Sequence, residues 1–585
     1  MKFNGIAASP GIGLGPIFRF EHEELMVRDS PVPPERLDAE VAWFRRALEL
    51  SRQDLEHIRN GIAAELGTDE AAIYEAHLLM VDDPELRRAV EDGIRREGRN
   101  APWVFRNYMS GVAARMEQVE NEYLRERHAD VLDVERRVLR HLLGEGSRTL
   151  PLLDRPSVLV AHDLGPSEVA LLDRERVLAV VTEVGGRTSH GAIVARGRGI
   201  PAVVSVRGIL QHLKPGSLGA VDGFNGHVEL DPDPETARLY AARRETLQAE
   251  STALDEIRAE PTVTLDGHRV ELSANIELPR DVDQVLQAGS DGIGLFRTEF
   301  FYLGRLELPT EEEQYRAYRE VAERLAPRPV LYRTMDLGGD KVASYLGSLH
   351  ENNPFLGYRG IRFALHHPEV FRTQIRAIYR ASAHGRVRMM FPMVTNLDEF
   401  ERALALCREV VAELAAAGIA HDPELEIGIM IETPSAVWLS PDFARDARFF
   451  SIGSNDLIQY TLAMDRDNER LAHLYEPLEP SVLRSIRHTV ESAHRFDRWV
   501  GICGEMAGDP RAAVLLVGLG VDELSMSCFD LPRVKAAIRS VRFDTACEIA
   551  REALALSSAA AVKDLLRARL ETLLPSFLVA KQSAL

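Results

Sequence analysis

Eight short apolar runs, each separated from the next by a stretch long enough for a helix, constrain this chain more than any other feature. They read Val270 to Ala274, Gly292 to Phe296, Val330 to Tyr332, Val387 to Phe391, Glu426 to Ile431, Phe449 to Ile452, Trp499 to Ile502 and Glu523 to Ser525. Parallel strands need crossover connections, and strands alternating with helices in this rhythm fit a (β/α)8 barrel, with a doubly wound open sheet as the competing architecture. The chain as a whole reads as multidomain α/β. In a barrel, chemistry gathers at the C-terminal ends of the strands.

Those ends are polar. Arg297 follows the second run (GIGLFRTEF), Arg333 the third (LYRTMDLGGDK), Glu432 the fifth (IGIMIETPSA), Asn455 and Asp456 the sixth (SIGSNDLIQY) and Cys503 the seventh (GICGEMAGD). Arg359 and Arg466 lie in the loops beyond. A barrel interior is filled by branched apolar side chains, so charges repeated at one end point to a ligand. Arginines grip carboxylate and phosphate bidentately without losing their charge, which implies a small polyanionic substrate. Glu432 and Asp456 suit a hard metal such as Mg2+, which commonly takes one or two protein carboxylates; salt bridges to the same arginines are the alternative. A thiol at Cys503, with an ordinary pKa of ~8.5, can hand a proton to carbon where an ionised carboxylate cannot. It can equally be a small buried packing residue.

A second chemical stretch lies upstream, Gly185 to Pro201, reading GGRTSHGAIVARGRGIP. It places His190 where an apolar strand-like run (Val177 to Val181) hands over to a helix-like segment, and free N–H groups at a helix start welcome an anion. A glycine-rich loop with an exposed histidine is the plainer reading. The opening GIAASPGIGLGPIF is β-like and needs partners from elsewhere, whereas Leu37, Val41, Phe44, Leu48, Leu55, Ile58 and Ile62 recur at helical spacing. Helical pattern continues to Gly144, and β character resumes at Val158 to Ala161, Val177 to Val181, Ala202 to Val204 and Val228 to Leu230. The organisation expected is an α/β domain (1–20 and 145–230) whose first strand is residues 1–20, interrupted by an all-helical insert (21–144). A linker helix (231–261) of roughly 40 Å and the barrel (262–585) follow.

Composition narrows the class. With 585 residues the chain has room for three or four domains. Seventy basic against ninety acidic residues give a net charge of -20, which argues against a nucleic-acid or anionic-membrane surface and for basic partners. Between Gly61 and Leu86 there is no Lys or Arg, while Glu65, Asp69, Glu70, Glu75, Asp82, Asp83 and Glu85 are acidic. That run is either a solvated face or a negative docking patch. Cys407, Cys503, Cys528 and Cys547 are irregularly spaced, matching neither a disulfide framework nor a zinc site, so a reducing compartment is expected. Gly5, Pro10, Gly11, Gly13, Gly15 and Pro16 break any signal-peptide core, and no apolar run reaches membrane-spanning length. The reading is a cytoplasmic protein without membrane insertion.

Taken together, GGRTSHGAIVAR, LFRTEF with LPTEEEQY, RTMDLGGDK, NPFLGYRGIR, GIMIETPSA, GSNDLIQYTLAMDR and GICGEMAGD closely resemble the enzyme I family of the bacterial phosphoenolpyruvate-dependent sugar phosphotransferase system. The likeness extends through the helical insert, at NEYLRERHADVLDVERRVLRHLLG. It implies that His190 takes the phosphoryl group from phosphoenolpyruvate and passes it to a histidine of the carrier protein HPr. It implies that Arg297, Arg333, Asn455, Asp456 and Arg466 hold the substrate, with Arg359 nearby. Glu432 and Asp456 would hold Mg2+, and Cys503 would protonate the enolate. The helical insert would dock HPr, and the barrel would form a homodimer. Gly191 departs from the threonine common beside the family's phosphohistidine, which bears on the stability of the phosphorylated state.

Three readings compete. Dikinase-type enzymes share the histidine and barrel parts but need a nucleotide-binding domain, for which residues before 150 leave no room, and no G-x-x-x-x-G-K-[ST] motif occurs. A nitrogen-related regulatory paralogue usually carries an added N-terminal sensory domain. A catalytically inactive HPr-binding scaffold has no reason to keep His190, Glu432, Asp456 and Cys503 together.

Overall fold

The computed structural model describes residues 1–20, 25–65, 68–117, 122–144, 153, 155–164, 175–186, 189–214, 216–302, 305, 307–338, 351, 353–466, 468, 470–471 and 474–579. The chain forms two compact units, Met1–Ala249 and Glu250–Ser583.

The first unit holds a bundle and a sheet. Its helices are α1 (Leu37–Glu65), α2 (Thr68–Val81), α3 (Pro84–Glu97), α4 (Ala101–Glu117) and α5 (Glu122–Leu143). Phe44, Leu48, Leu55, Phe105, Val134 and Val138 meet in its core, as their helical spacing requires. Asp83 caps α3 by accepting from the Glu85 N–H, and Gly98 ends it at a φ of 62°. Gly144, at a φ of 74°, follows α5.

The sheet has eight strands: β1 (Lys2–Asn4), β2 (Ile6–Ser9), β3 (Ile12–Phe20), β4 (Ser157–Ala161), β5 (Val177–Thr182), β6 (Ala202–Val204), β7 (Leu218–Asp222) and β8 (His227–Leu230), in the order β1-β8-β7-β3-β4-β5-β6-β2. Residues 1–20 are thus three strands rather than one. β1 pairs antiparallel with β8 and β2 with β6, at opposite ends of the order, so Gly5 turns the chain from one edge to the other and the sheet curls round on itself. Along β4, Val158 and Val160 enter one core while Leu159 and Ala161 enter another, the period of two that buries both faces. The helix α6 (His190–Gly197) packs Ala192 and Ala195 into the second of these cores. A 24-residue helix, α7 (Pro234–Ile257), includes the division between the two units at residues 249 and 250 and is about 36 Å long at 1.5 Å per residue.

The second unit is a closed parallel barrel, which excludes the open sheet. Its strands are β9 (Glu271–Ile276), β10 (Gly292–Arg297), β11 (Val330–Arg333), β12 (Val387–Phe391), β13 (Glu426–Ile431), β14 (Phe449–Gly453), β15 (Trp499–Cys503) and β16 (Glu523–Met526), with β16 pairing back on β9. Phe296, Tyr332 and Phe391 point outward into the helix-covered core, whereas Leu295, Leu331, Met390, Met430, Phe449 and Cys503 fill the lumen. Capping boxes start two of the covering helices: Thr310 with Glu313, and Asn396 with Glu399.

Candidate functional site

The C-terminal mouth of the barrel opens into a cavity of about 500 Å³ whose walls include Arg297, Arg333, Arg359, Glu432, Asn455, Asp456, Arg466 and Cys503. Every barrel residue singled out from the sequence therefore lines one space. Arg297, Arg333 and Cys503 are the last residues of β10, β11 and β15, and Glu432 follows β13 directly. Asn455 and Asp456 lie in the first turn of the helix Ser454–Thr461 after β14.

The arginines are held by carboxylates. Arg333 bonds Glu299 and stands 3.4 Å from Asp336; Arg359 donates to Asp336 through Nε (3.1 Å) and Nη2 (2.7 Å), and its Nη1 reaches Asp456 at 3.2 Å and Tyr460 at 3.3 Å. Burial alone would work against their charge, but Glu299 and Asp336 around Arg333, and Asp336 and Asp456 around Arg359, hold both guanidinium groups firmly protonated. Arg297 pairs with Glu277 at 2.9 Å, and Arg466 is 4.0 Å from Asp456. Asn455 Oδ1 accepts from the Tyr475 hydroxyl (3.3 Å) and the Glu505 N–H (3.2 Å).

Two glycines place this machinery. Gly338 has a φ of 118° and bridges to Arg359, and a Cβ there would come within 1.9 Å of the Tyr358 carbonyl oxygen. Gly504, at a φ of 133°, turns the chain sharply after Cys503 where a Cβ would strike Ser454 Oγ at 2.2 Å.

Glu432 is fully buried; its Oε1 accepts from the Met393 N–H at 2.5 Å, while its Oε2 has no hydrogen-bond partner. Burial, and then the neighbouring Asp456 and Asp336 carboxylates, push its carboxyl well above the usual range. A carboxyl oxygen left without a partner beside two more carboxylates is a position that a hard cation fits, taking the place of the proton. Among the described residues no group of three or more His, Cys, Asp or Glu converges as a metal cage, so such a cation would need water or substrate oxygens besides the pair. Cys503 is 3% exposed, its Sγ lies 3.5 Å from the Ser451 hydroxyl, and burial pushes the thiol up to about 11. All four cysteines are free thiols.

His190 opens α6, with Ser189 as its N-cap residue. Its side chain lies outside the described residues, as do Arg187, Thr188 and, in the barrel motif DLGGDK, residues 339–341. The sequence reading did not single out Glu299, Asp336, Tyr475 or Glu505; Glu299, Asp336 and Glu505 sit inside the quoted motifs LFRTEF, RTMDLGGDK and GICGEMAGD, which was the available signal.

Three family models cover most of the chain: "PEP-utilising enzyme, N-terminal" over residues 4–127, "PEP-utilising enzyme, mobile domain" over 153–226, and "PEP-utilising enzyme, PEP-binding domain" over 251–543. A phosphoenolpyruvate-protein phosphotransferase of Priestia megaterium is 45% identical over 540 residues, covering 92% of this chain and 94% of that one. Its counterpart in Bacillus sp. (strain S) is 44% identical over 556 residues (95% and 96%), and that of Staphylococcus carnosus (strain TM300) is 43% identical over 564 residues (96% and 98%).

Proposed function

The chain belongs to the phosphoenolpyruvate-protein phosphotransferase family of PEP-utilising enzymes, and from that premise we propose how its own residues carry the reaction. The phosphoryl group of phosphoenolpyruvate passes to His190 and then to a histidine of HPr, and pyruvate leaves. The observation that carries this reading is the convergence of four arginines, two hard-ligand carboxylates and a neutral thiol in one cavity.

Arg297, Arg333, Arg359 and Arg466, with Asn455, bind the phosphate and carboxylate of the substrate. Glu432 and Asp456 would hold Mg2+, which when bound neutralises charge on the transferring phosphoryl group. The neutral His190 imidazole, available near pH 7, attacks phosphorus, and the bond to the enol oxygen breaks. Cys503 then gives its proton to the enolate methylene carbon. A C–H bond forms, the S–H pair stays on sulfur, and the charge of Arg333 faces the thiolate. The bundle receives HPr on its acidic face, where Glu75, Asp82 and Glu85 are exposed, and the barrel forms the homodimer. No helix among the described residues is long and apolar enough to cross a membrane.

Incubation with phosphate-labelled phosphoenolpyruvate and Mg2+ tests the reading. The protein acquires an acid-labile, alkali-stable label, and His190→Ala loses it while remaining folded. Undiminished labelling of that variant would falsify the assignment.

A further inference from the structure

What Asn455 presents to a ligand depends on which way its side-chain amide is turned. The two ends have the same shape and opposite chemistry: Nδ2 carries two donors and Oδ1 two lone pairs. The phosphate and carboxylate oxygens of an anionic substrate accept hydrogen bonds, so one orientation binds them and the other repels them.

The surroundings choose between the two. The Glu505 backbone N–H, which can only donate, meets Oδ1 at 3.2 Å, and the Tyr475 hydroxyl donates to the same oxygen at 3.3 Å. Both lone pairs are then taken. Gly504 admits the first of these donors: a Cβ there would fall 2.9 Å from Asn455 Oδ1 as well as against Ser454 Oγ, so a side chain would close the approach. Tyr475 comes from the segment between the helices Ser454–Thr461 and Pro480–His494, and its ring packs against the barrel core. Burial, and then the Glu505 carboxylate, push its phenol up to about 12, so the hydroxyl keeps its proton throughout the neutral range. Among the described residues Asn455 Nδ2 makes no hydrogen bond. Asn455, Tyr475 and Glu505 all line the substrate cavity, with Arg297 and Arg466.

We propose that Tyr475 is a positioning residue for the substrate, holding the Asn455 amide with Oδ1 turned to the wall so that Nδ2 donates to an anionic oxygen of phosphoenolpyruvate. This rests on Asn455 binding the substrate. A hydroxyl can also accept from Nδ2, so Tyr475 by itself does not select the orientation. The Glu505 N–H selects it, and Tyr475 holds it against rotation about χ2, a torsion with two broad wells. The donor is thereby aligned before the substrate arrives, and binding does not have to order it.

The test is calorimetric titration of phosphoenolpyruvate, with Mg2+, into the full chain carrying His190→Ala, which cannot take up the phosphoryl group. Tyr475→Phe keeps the ring in place and should raise Kd about fivefold, the worth of one neutral hydrogen bond. Asn455→Ala should raise it about tenfold or more, since that bond is to a charged group. In a chain that already carries Asn455→Ala, adding Tyr475→Phe should change Kd by less than about twofold, because a residue that acts only through the amide has nothing left to act on. A hydroxyl that touches the substrate itself, or serves packing alone, gives additive losses instead. Undiminished loss in the double variant, or a Kd for Tyr475→Phe within about twofold of the parent, overturns the proposal. Parent affinity in Asn455→Ala refutes the substrate role of Asn455 itself, whatever Tyr475→Phe does.

Discussion

Asp336→Ala is the sharpest perturbation of the mouth, because one carboxylate holds two buried arginines. Asp336 is 2% exposed, and Arg333 and Arg359 are each 6% exposed. Removing one partner of a buried ion pair costs about 3–5 kcal/mol, since the charge left behind is neither solvated nor compensated. Here Glu299 still reaches Arg333 and Asp456 still reaches Arg359, so the low end, ~3 kcal/mol, applies. At ~2.1 cal/mol/K per residue, a unit of about 330 residues unfolds with an entropy of ~0.7 kcal/mol/K, and the melting temperature of the Glu250–Ser583 unit should fall by about 4 °C. Because the pair is buried, the drop should persist at ~0.5 M salt. Two guanidinium groups also lose the bonds that aim them, so KM for phosphoenolpyruvate should rise roughly tenfold, the worth of one charge-assisted hydrogen bond. Calorimetry and steady-state kinetics on Asp336→Ala decide it, with Asp336→Asn as a milder control that keeps one acceptor. A melting temperature within ~1 °C of wild type together with an unchanged KM would refute the reasoning.

Glu432→Gln and Asp456→Asn should each raise the Mg2+ concentration for half-maximal autophosphorylation by about tenfold or more; unchanged metal dependence in both would make the carboxylates partners of the arginines only. Glu523 ionises at about 7 in the fold against an ordinary 4.5, so between those values the native state binds more protons than the unfolded chain and stability falls as pH rises. Glu523→Gln lacks this loss, so its melting temperature relative to wild type should climb between pH 4.5 and 7 by about 4 °C, from roughly 3 kcal/mol of proton linkage; a difference that does not change with pH counts against it. A fragment of residues 1–260 should exchange phosphoryl groups with phospho-HPr and ignore phosphoenolpyruvate, and labelling of that fragment by phosphoenolpyruvate would contradict the division of labour.

The barrel was legible because its strands are buried on both faces and read as unbroken apolar runs ending in a polar residue. Arg297, Arg333 and Cys503 stand at those endings, so strand position and chemistry were visible together. The same continuity hid the lumen. Nothing in the run FFSIG says that Ser451 faces inward while Phe450 and Ile452 face out, nor that Glu523 in ELSM turns toward two glycines on other strands. β7 escaped detection because glycine and aspartate dilute its sequence, LGAVD, and residues 1–20 read as one strand because their glycines and prolines give no sign of which pairing each segment takes. Asp336 and Glu299 were in view as letters of a motif. Their role as anchors appears only once barrel closure brings β10 and β11 beside the loop carrying Arg359.

The charges at the mouth carry one more consequence. Arg297, Arg333, Arg359 and Arg466 are each paired with or near a carboxylate before any substrate arrives, which fixes their direction but opposes the entry of an anion. Among the described residues Glu432 makes no ion pair, its Oε2 has no hydrogen-bond partner, and the residue lines the same space. A phosphoenolpyruvate trianion added to this mouth meets repulsion from Asp456 and Asp336 that the arginines cannot fully cancel while they are already engaged, and Glu432, its carboxyl pushed up by burial and by those same neighbours, gives up its proton only to a cation. A divalent cation held by Glu432 and Asp456 removes that repulsion, and the substrate in turn supplies oxygens that two carboxylates alone do not. Each ligand therefore raises the affinity of the other, and by linkage it does so by the same factor in both directions.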